Sequence, residues 1–217
     1  SDDVRRTLHA AARSAAEAIG YVGAGTVEFM VSGDRVAFLE MNTRLQVEHP
    51  VTEAVFGVDL VELQLQVAEG LDLRSPSRSR GDGPEGPVGH AIEVRLYAED
   101  PAADYRPQSG TLAGFEVPDV DVCFGPLTGP GIRLDSGFAT GDEVSTHYDA
   151  MLAKVIAHAP SREAAARKLA GVLGRARIHG LVTNRDLLVS ILRDPRFLSG
   201  EVSTDFLGGF ETGHRPT

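Results

Sequence analysis

The sequence predicts an α+β fold in two parts. Three observations carry that expectation. Helix-spaced apolar residues flank a hairpin pattern over residues 1–71, residues 72–89 are Ser, Pro, Gly and Arg with almost no large apolar side chain, and residues 90–210 open with strand patterns and close with two helices. The middle stretch has linker or surface-loop composition and marks a domain boundary.

Each element has a local reason. Val4, Leu8, Ala12, Ala15 and Ile19 fall at helical spacing, Asp2 or Asp3 can cap the start and Gly20 suits the stop, so a helix is predicted over 4–19. Val27, Phe29 and Val31 alternate with Thr26, Glu28 and Met30; after Ser32-Gly33-Asp34-Arg35 a second run extends from Val36 to Met41, the pattern of a β-hairpin. Pro50 is placed to open a short helix that Gly57 ends, and Asp59 with Glu62 resembles a capping box for a helix over 59–69. In the second part Ile92, Val94 and Leu96 alternate against Glu93, Arg95 and Tyr97 in a strand over 90–98, with shorter strands at 111–117, 132–136 and 151–157. Helices are predicted over 162–177 after Ser161 and over 184–193, where Thr183 and Asp186 imitate a capping box and Pro195 halts the turn.

Composition narrows the function classes. A net charge of −10 provides no basic face for a phosphate backbone, so no nucleic-acid partner is expected. The single Cys123 cannot form an internal disulfide, and no apolar run reaches the ~18 residues of a membrane span; the cytoplasm is the expected compartment, with no membrane association. Of the 21 basic residues only Lys154 and Lys168 are lysines, too few for chemistry that needs several lysines on phosphates.

The informative stretch is Glu28 together with residues 38–50. If Gly33-Asp34-Arg35 form a three-residue loop, Glu28 lies directly across from Glu40, and Asn42 joins the same face two residues on. Like charges opposed in a sheet are destabilising unless solvated or bridged by a cation. Spacing alone leaves both open: a wet hairpin face, or two carboxylates and an amide oxygen suited to Mg²⁺ or Mn²⁺ also held by substrate phosphates. Arg44, Gln46 and Glu48 keep the alternation, which would set a guanidinium fork, an amide and a carboxylate in line beyond Asn42, a set able to hold a small oxyanion and take its proton.

The run Glu40-Met41-Asn42-Thr43-Arg44-Leu45-Gln46-Val47-Glu48-His49-Pro50-Val51-Thr52-Glu53 closely resembles the motif of biotin carboxylases, within the ATP-grasp superfamily. Residues 21–29, 89–101 and 148–154 resemble the same family, so the likeness covers nearly the whole chain. The resemblance implies the C-terminal portion of an ATP-grasp domain over 1–71, a linker over 72–89, and the mixed, β-rich biotin carboxylase C-terminal domain over 90–210.

It also implies a reaction. ATP phosphorylates bicarbonate to carboxyphosphate, whose CO₂ is captured by biotin carried on another domain. By similarity Glu28, Glu40 and Asn42 would ligand Mg²⁺ or Mn²⁺, with Glu40, Met30 and Thr204 contacting the nucleotide. Glu48 would be the base for bicarbonate, Arg44, Gln46 and the Val47 backbone would cradle it, and Arg95 would face the biotin ureido oxygen. A planar guanidinium matches a carboxylate as lysine cannot. The implied partners are a biotin carboxyl carrier domain, the missing N-terminal half of the biotin carboxylase and a carboxyltransferase subunit. The sequence contains neither a glycine-rich lid with phosphate-holding lysines nor a Met-Lys-Met biotin acceptor, so the chain alone is expected to be inactive. Overall similarity points to an acyl-CoA carboxylase, acetyl or propionyl, in fatty acid biosynthesis; pyruvate and urea carboxylases share the motifs, and a non-catalytic interface module is the reading from another class.

Overall fold

The structure, a computed structural model, describes residues 1–72 and 86–210; most of the linker predicted at 72–89 lies outside the described residues. The described backbone divides into two compact units, residues 1–49 with 59–72, and residues 50–58 with 86–210. The segment 50–58 therefore belongs with the second unit, although it precedes the predicted linker.

In the first unit, α1 (Asp2–Ala18) starts two residues earlier than its apolar spacing suggests, because Ser1 accepts a hydrogen bond from the Val4 amide and Asp2 and Asp3 fill the first turn. The hairpin pairs β1 (Thr26–Ser32) with β2 (Arg35–Asn42). Its loop has two residues, Gly33 and Asp34, where the sequence suggests three. Ser32 pairs with Arg35, and Gly33 takes φ +59°, as the first central position of a tight primed hairpin turn requires. The register then slips at Leu39, an extra residue on β2, so that Phe29 opposes Phe38 while Glu28 opposes Glu40. The predicted carboxylate pair forms, but a bulge sets it rather than the loop. Gly25 allows the chain to enter β1 closely: a Cβ there would come within 2.9 Å of the Tyr21 ring and 3.1 Å of the Asn42 carbonyl. Helix α3 (Leu60–Ala68) follows the predicted cap, with the Asp59 carboxylate accepting from the Glu62 amide at 2.8 Å.

The second unit takes in all but the first residue of α2 (His49–Phe56). Strands β3 (His90–Tyr97), β8 (Val122–Cys123), β9 (Gly131–Ser136) and β11 (Met151–Ala159) form one sheet in the order β3-β11-β9-β8. Two-residue strands β4 (Glu99–Asp100) and β5 (Arg106–Pro107) pair with each other, as do β6 (Gly110–Thr111) and β10 (Glu143–Val144). The strand expected over 111–117 is thus broken, and its second piece, β7 (Gly114–Glu116), pairs with β12 (Arg177–His179). Helix α4 (Arg162–Arg175) is capped by Ser161 and stops two residues short of its predicted end because Arg177 enters β12. Helices α5 (Arg185–Arg193) and α6 (Pro195–Ser199) complete the unit.

One face of the four-stranded sheet is the apolar core. Ile92, Val94, Val155 and Ala157 pack against Ala165, Ala166, Leu169 and Leu173 of α4, and the small alanines let helix and sheet approach closely. The opposite face is polar and buried. Arg133 is 3% exposed on β9; its Nε and Nη2 donate to the two oxygens of Asp135 at 2.8 Å each, and its Nη1 donates to Glu53 of α2 at 2.6 Å. Lys154 lies 3.2 Å from Asp135 on the neighbouring strand. Around this network Ala54, Ala91 and Leu127 form a small apolar cluster, and the Val88 amide donates to the Val55 carbonyl at 2.8 Å. Helix α2 is thereby fastened to the sheet at both polar and apolar points.

Burial by itself would raise the Asp135 carboxyl, but the hydrogen bonds and charge of Arg133, with Lys154, outweigh it and hold the group below the usual carboxylate range. A folded pKa below the unfolded one contributes stability that is complete above the unfolded value of about 3.9 and is lost as pH falls below it. The melting temperature of the chain should therefore drop as pH falls below about 4, and Asp135→Asn should flatten that part of the profile. Identical acid profiles for the two proteins would contradict the assignment.

Candidate functional site

The polar face of the hairpin gathers most of the predicted residues of the first unit. Glu28 is half-buried on β1 and Glu40 is exposed directly opposite on β2. Asn42 lies between them, its Nδ2 donating to Glu28 Oε1 at 2.9 Å and to Glu40 Oε1 at 3.2 Å. The amide thus separates two like charges that would otherwise repel across the strands.

Beyond Asn42 the strand ends, and residues 43–48 form a bend and turn rather than the continued alternation expected from the sequence. Arg44 and Gln46 reach the site by folding back. Arg44 Nη2 donates to Asn42 Oδ1 at 3.3 Å, Arg44 Nη1 to Gln46 Oε1 at 3.1 Å, and Gln46 Nε2 to Glu28 Oε1 at 3.5 Å. Five side chains are linked into one group at the base of the hairpin. Val47 and the exposed Glu48 occupy the turn that leads into α2, closed by the His49 amide donating to the Gln46 carbonyl at 3.3 Å. Met30 stands two residues from Glu28 on the same face of β1, half exposed at 52%.

The donor set fits a hard divalent cation. Among the described residues no cluster of three or more His, Cys, Asp or Glu is present, so a metal on this face would have two carboxylates and, with the Asn42 amide turned over, one amide oxygen. Such a short ligand list suits Mg²⁺, which keeps the remaining positions for water and phosphate oxygens.

Arg95 and Thr204 belong to the second unit. Arg95 is half-buried on β3, opposite Lys154 of β11 and on the polar face of the sheet; Thr204 is exposed in the turn before Phe206. Sequence reasoning missed Glu53, Arg133, Asp135 and Asn184. One signal existed for the middle pair: Arg133 and Asp135 share a parity in the strand Gly131–Ser136, alternating with the apolar Ile132 and Leu134, where two charges of opposite sign call for each other.

Residues 93–209 match the family described as biotin carboxylase C-terminal domain, and residues 1–76 match the carbamoyl-phosphate synthase L chain ATP-binding domain. The first match covers more than half of the chain, which therefore belongs to the biotin carboxylase family. The alpha subunit of the mitochondrial methylcrotonoyl-CoA carboxylase of Mus musculus is 44% identical over 207 residues, 94% of this chain and 27% of that protein. The propionyl-CoA carboxylase alpha chain of Ruegeria pomeroyi is 40% identical over 230 residues, 98% of this chain and 33% of that protein. A pyruvate carboxylase subunit of Methanothermobacter thermautotrophicus is 39% identical over 211 residues, 97% of this chain and 40% of that protein. The chain thus spans well under half the length of these relatives. Among solved structures, the biotin carboxylase domain of Hydrogenobacter thermophilus 2-oxoglutarate carboxylase, in complex with MgADP, ADP and bicarbonate, superposes with a TM-score of 0.78 at 36% identity, covering 93% of this chain and 42% of that one. The α+β class expected from the sequence is the one observed. No helix among the described residues is long and apolar enough to cross a membrane.

Proposed function

We propose that this chain supplies part of the active site of an ATP-dependent biotin carboxylase, converting ATP, bicarbonate and a biotin carrier to ADP, phosphate and carboxybiotin. The observation that carries it is the hydrogen-bonded convergence of Glu28, Glu40, Asn42, Arg44 and Gln46 on one hairpin. Glu28, Glu40 and Asn42 would hold Mg²⁺ or Mn²⁺, whose charge would offset that of the nucleotide phosphates, and Met30, Glu40 and Thr204 would contact the nucleotide. Arg44, Gln46 and the Val47 backbone hold bicarbonate, and Glu48 takes its proton. Arg95 stabilises negative charge on the biotin ureido oxygen, a task for which a permanently protonated fork is suited.

The parent is an acyl-CoA carboxylase in this proposal, supported by the methylcrotonoyl-CoA and propionyl-CoA relatives. Its partners are a biotin carboxyl carrier domain and a carboxyltransferase subunit. A pyruvate carboxylase is the second reading, favoured by the relative of that kind. The cytoplasm is its compartment.

Two measurements test the assignment. Purified chain should show no bicarbonate-dependent ATP cleavage and no carboxylation of free biotin, because its two lysines both lie in the second unit and the first unit has none for phosphate. Turnover above buffer, free of host carboxylase, would overturn this. In a complete carboxylase carrying the chain, Arg95→Gln should depress transfer to biotin more than bicarbonate-dependent ATP cleavage, since carboxyphosphate still forms and decays. Equal loss of both would mean that Arg95 does not serve biotin.

A further inference from the structure

Asn184 stands at the N-cap of α5, a position at which asparagine normally directs its side-chain oxygen to the first-turn N–H groups of the helix. Here it makes no such bond. Its side chain instead faces β3, the edge strand of the main sheet. Asn184 Oδ1 accepts from the Tyr97 amide at 2.9 Å, Asn184 Nδ2 donates to the Arg95 carbonyl at 3.1 Å, and the Asn184 amide donates to the Tyr97 carbonyl at 3.1 Å. One residue thus mimics a neighbouring strand over Arg95 to Tyr97, satisfying backbone groups that an edge would leave open. Asn184 is 8% exposed, so these groups have little water to turn to if it is lost.

The placement is specific. The bonds bracket the stretch that begins at Arg95, on the side of β3 away from β11, whose Lys154 pairs with Arg95. Arg95 is held by a regular ladder on one side and by the Asn184 side chain on the other. Thr183, where the sequence places the cap, instead receives a hydrogen bond from the Arg185 amide at 3.4 Å, which leaves the Asn184 amide group for the strand.

We propose that Asn184 is a positioning residue for Arg95: by clamping the outer edge of β3 it fixes the backbone from which the guanidinium is presented to the biotin ureido group. The proposal rests on the role given to Arg95 above. It needs a three-atom amide with both a donor and an acceptor, so alanine loses both bonds, and aspartate keeps the acceptor for Tyr97 while losing the donor for Arg95.

The test uses a complete carboxylase carrying the chain, with Asn184→Ala and Asn184→Asp beside the parent. Hydrogen exchange at the Tyr97 amide reads the clamp; the rates of biotin carboxylation and of bicarbonate-dependent ATP cleavage read its consequence. In Asn184→Ala, Tyr97 exchange should accelerate and biotin carboxylation should fall at least about tenfold, within the range set by an active-site displacement of about 1 Å, while ATP cleavage changes less than about twofold. Asn184→Asp should fall between, with Tyr97 protected and only the transfer step reduced, and it carries the test alone if the alanine variant does not fold. Unchanged Tyr97 exchange in Asn184→Ala would overturn the clamp itself. Faster exchange with full carboxylation would overturn positioning while leaving Arg95 its role. A proportional fall of both activities in Asn184→Ala, with the same proportional fall in Arg95→Gln, would instead overturn the role of Arg95.

Discussion

In a complete carboxylase built on this chain, Glu48→Gln is expected to lower bicarbonate-dependent ATP cleavage and biotin carboxylation together, by the roughly 10²- to 10⁴-fold typical of losing a general base. The substitution keeps size and shape, so binding of nucleotide should change little. What it removes is the ability to accept a proton. In the proposed reaction the proton of bicarbonate passes to Glu48 as bicarbonate attacks the γ-phosphate, so loss of the base would slow formation of the carboxyphosphate that biotin uses. Glu48 is exposed in the turn that follows the residues proposed to cradle bicarbonate, two residues beyond Gln46, and a carboxylate there has the chemistry of a base. Steady-state kinetics of both activities decide the matter, and a variant that kept normal ATP cleavage would move the base elsewhere.

The second large effect is on stability. Arg133→Met should destabilise the second unit by about 3–5 kcal/mol, because Glu53 and Asp135, at 2% and 7% exposure, would lose the guanidinium that both engage. For a unit of this size that corresponds to a melting temperature lower by roughly 6–20 °C. Glu53→Gln should cost less, since an amide oxygen can still accept from Arg133 and one negative charge is removed along with its desolvation cost. Thermal unfolding of the three proteins provides the comparison, and a melting temperature of Arg133→Met within about a degree of the parent would show that the pair does not anchor α2.

The longer helices and strands are legible because each carries its own punctuation, whereas the two- and three-residue strands carry none. Ser161 before α4, Asp59 before α3 and the Gly33 turn all act over three or four residues, a range that periodicity and capping rules cover. The Glu28–Glu40 pairing is legible too, because the Leu39 bulge restores the register that a three-residue loop would give. Bulges have no sequence mark as clear as a turn's glycine. The return of Arg44 and Gln46 onto the hairpin was hidden because a two-residue alternation looks the same whether the strand continues or gives way to a turn. Nothing local announces that Glu53 and Arg133, 80 residues apart, share a hydrogen bond. Glu53 on a short helix resembles a solvated side chain, and Asn184 before α5 resembles an ordinary cap.

The allegiance of residues 50–58 to the second unit bears on how carboxylase modules can be recombined. A cut within 73–85 would leave the C-terminal piece without the helix whose Glu53 pairs with Arg133, and would leave the N-terminal piece with that helix but without the partners of its Ala54 and Glu53. The two pieces are interlaced in sequence order. Grafting the C-terminal sheet of one carboxylase onto another should therefore succeed only when the recipient's 49–56 helix is exchanged with it, and separately made pieces have a built-in reason to reassemble, since the helix borne by one completes the interior of the other.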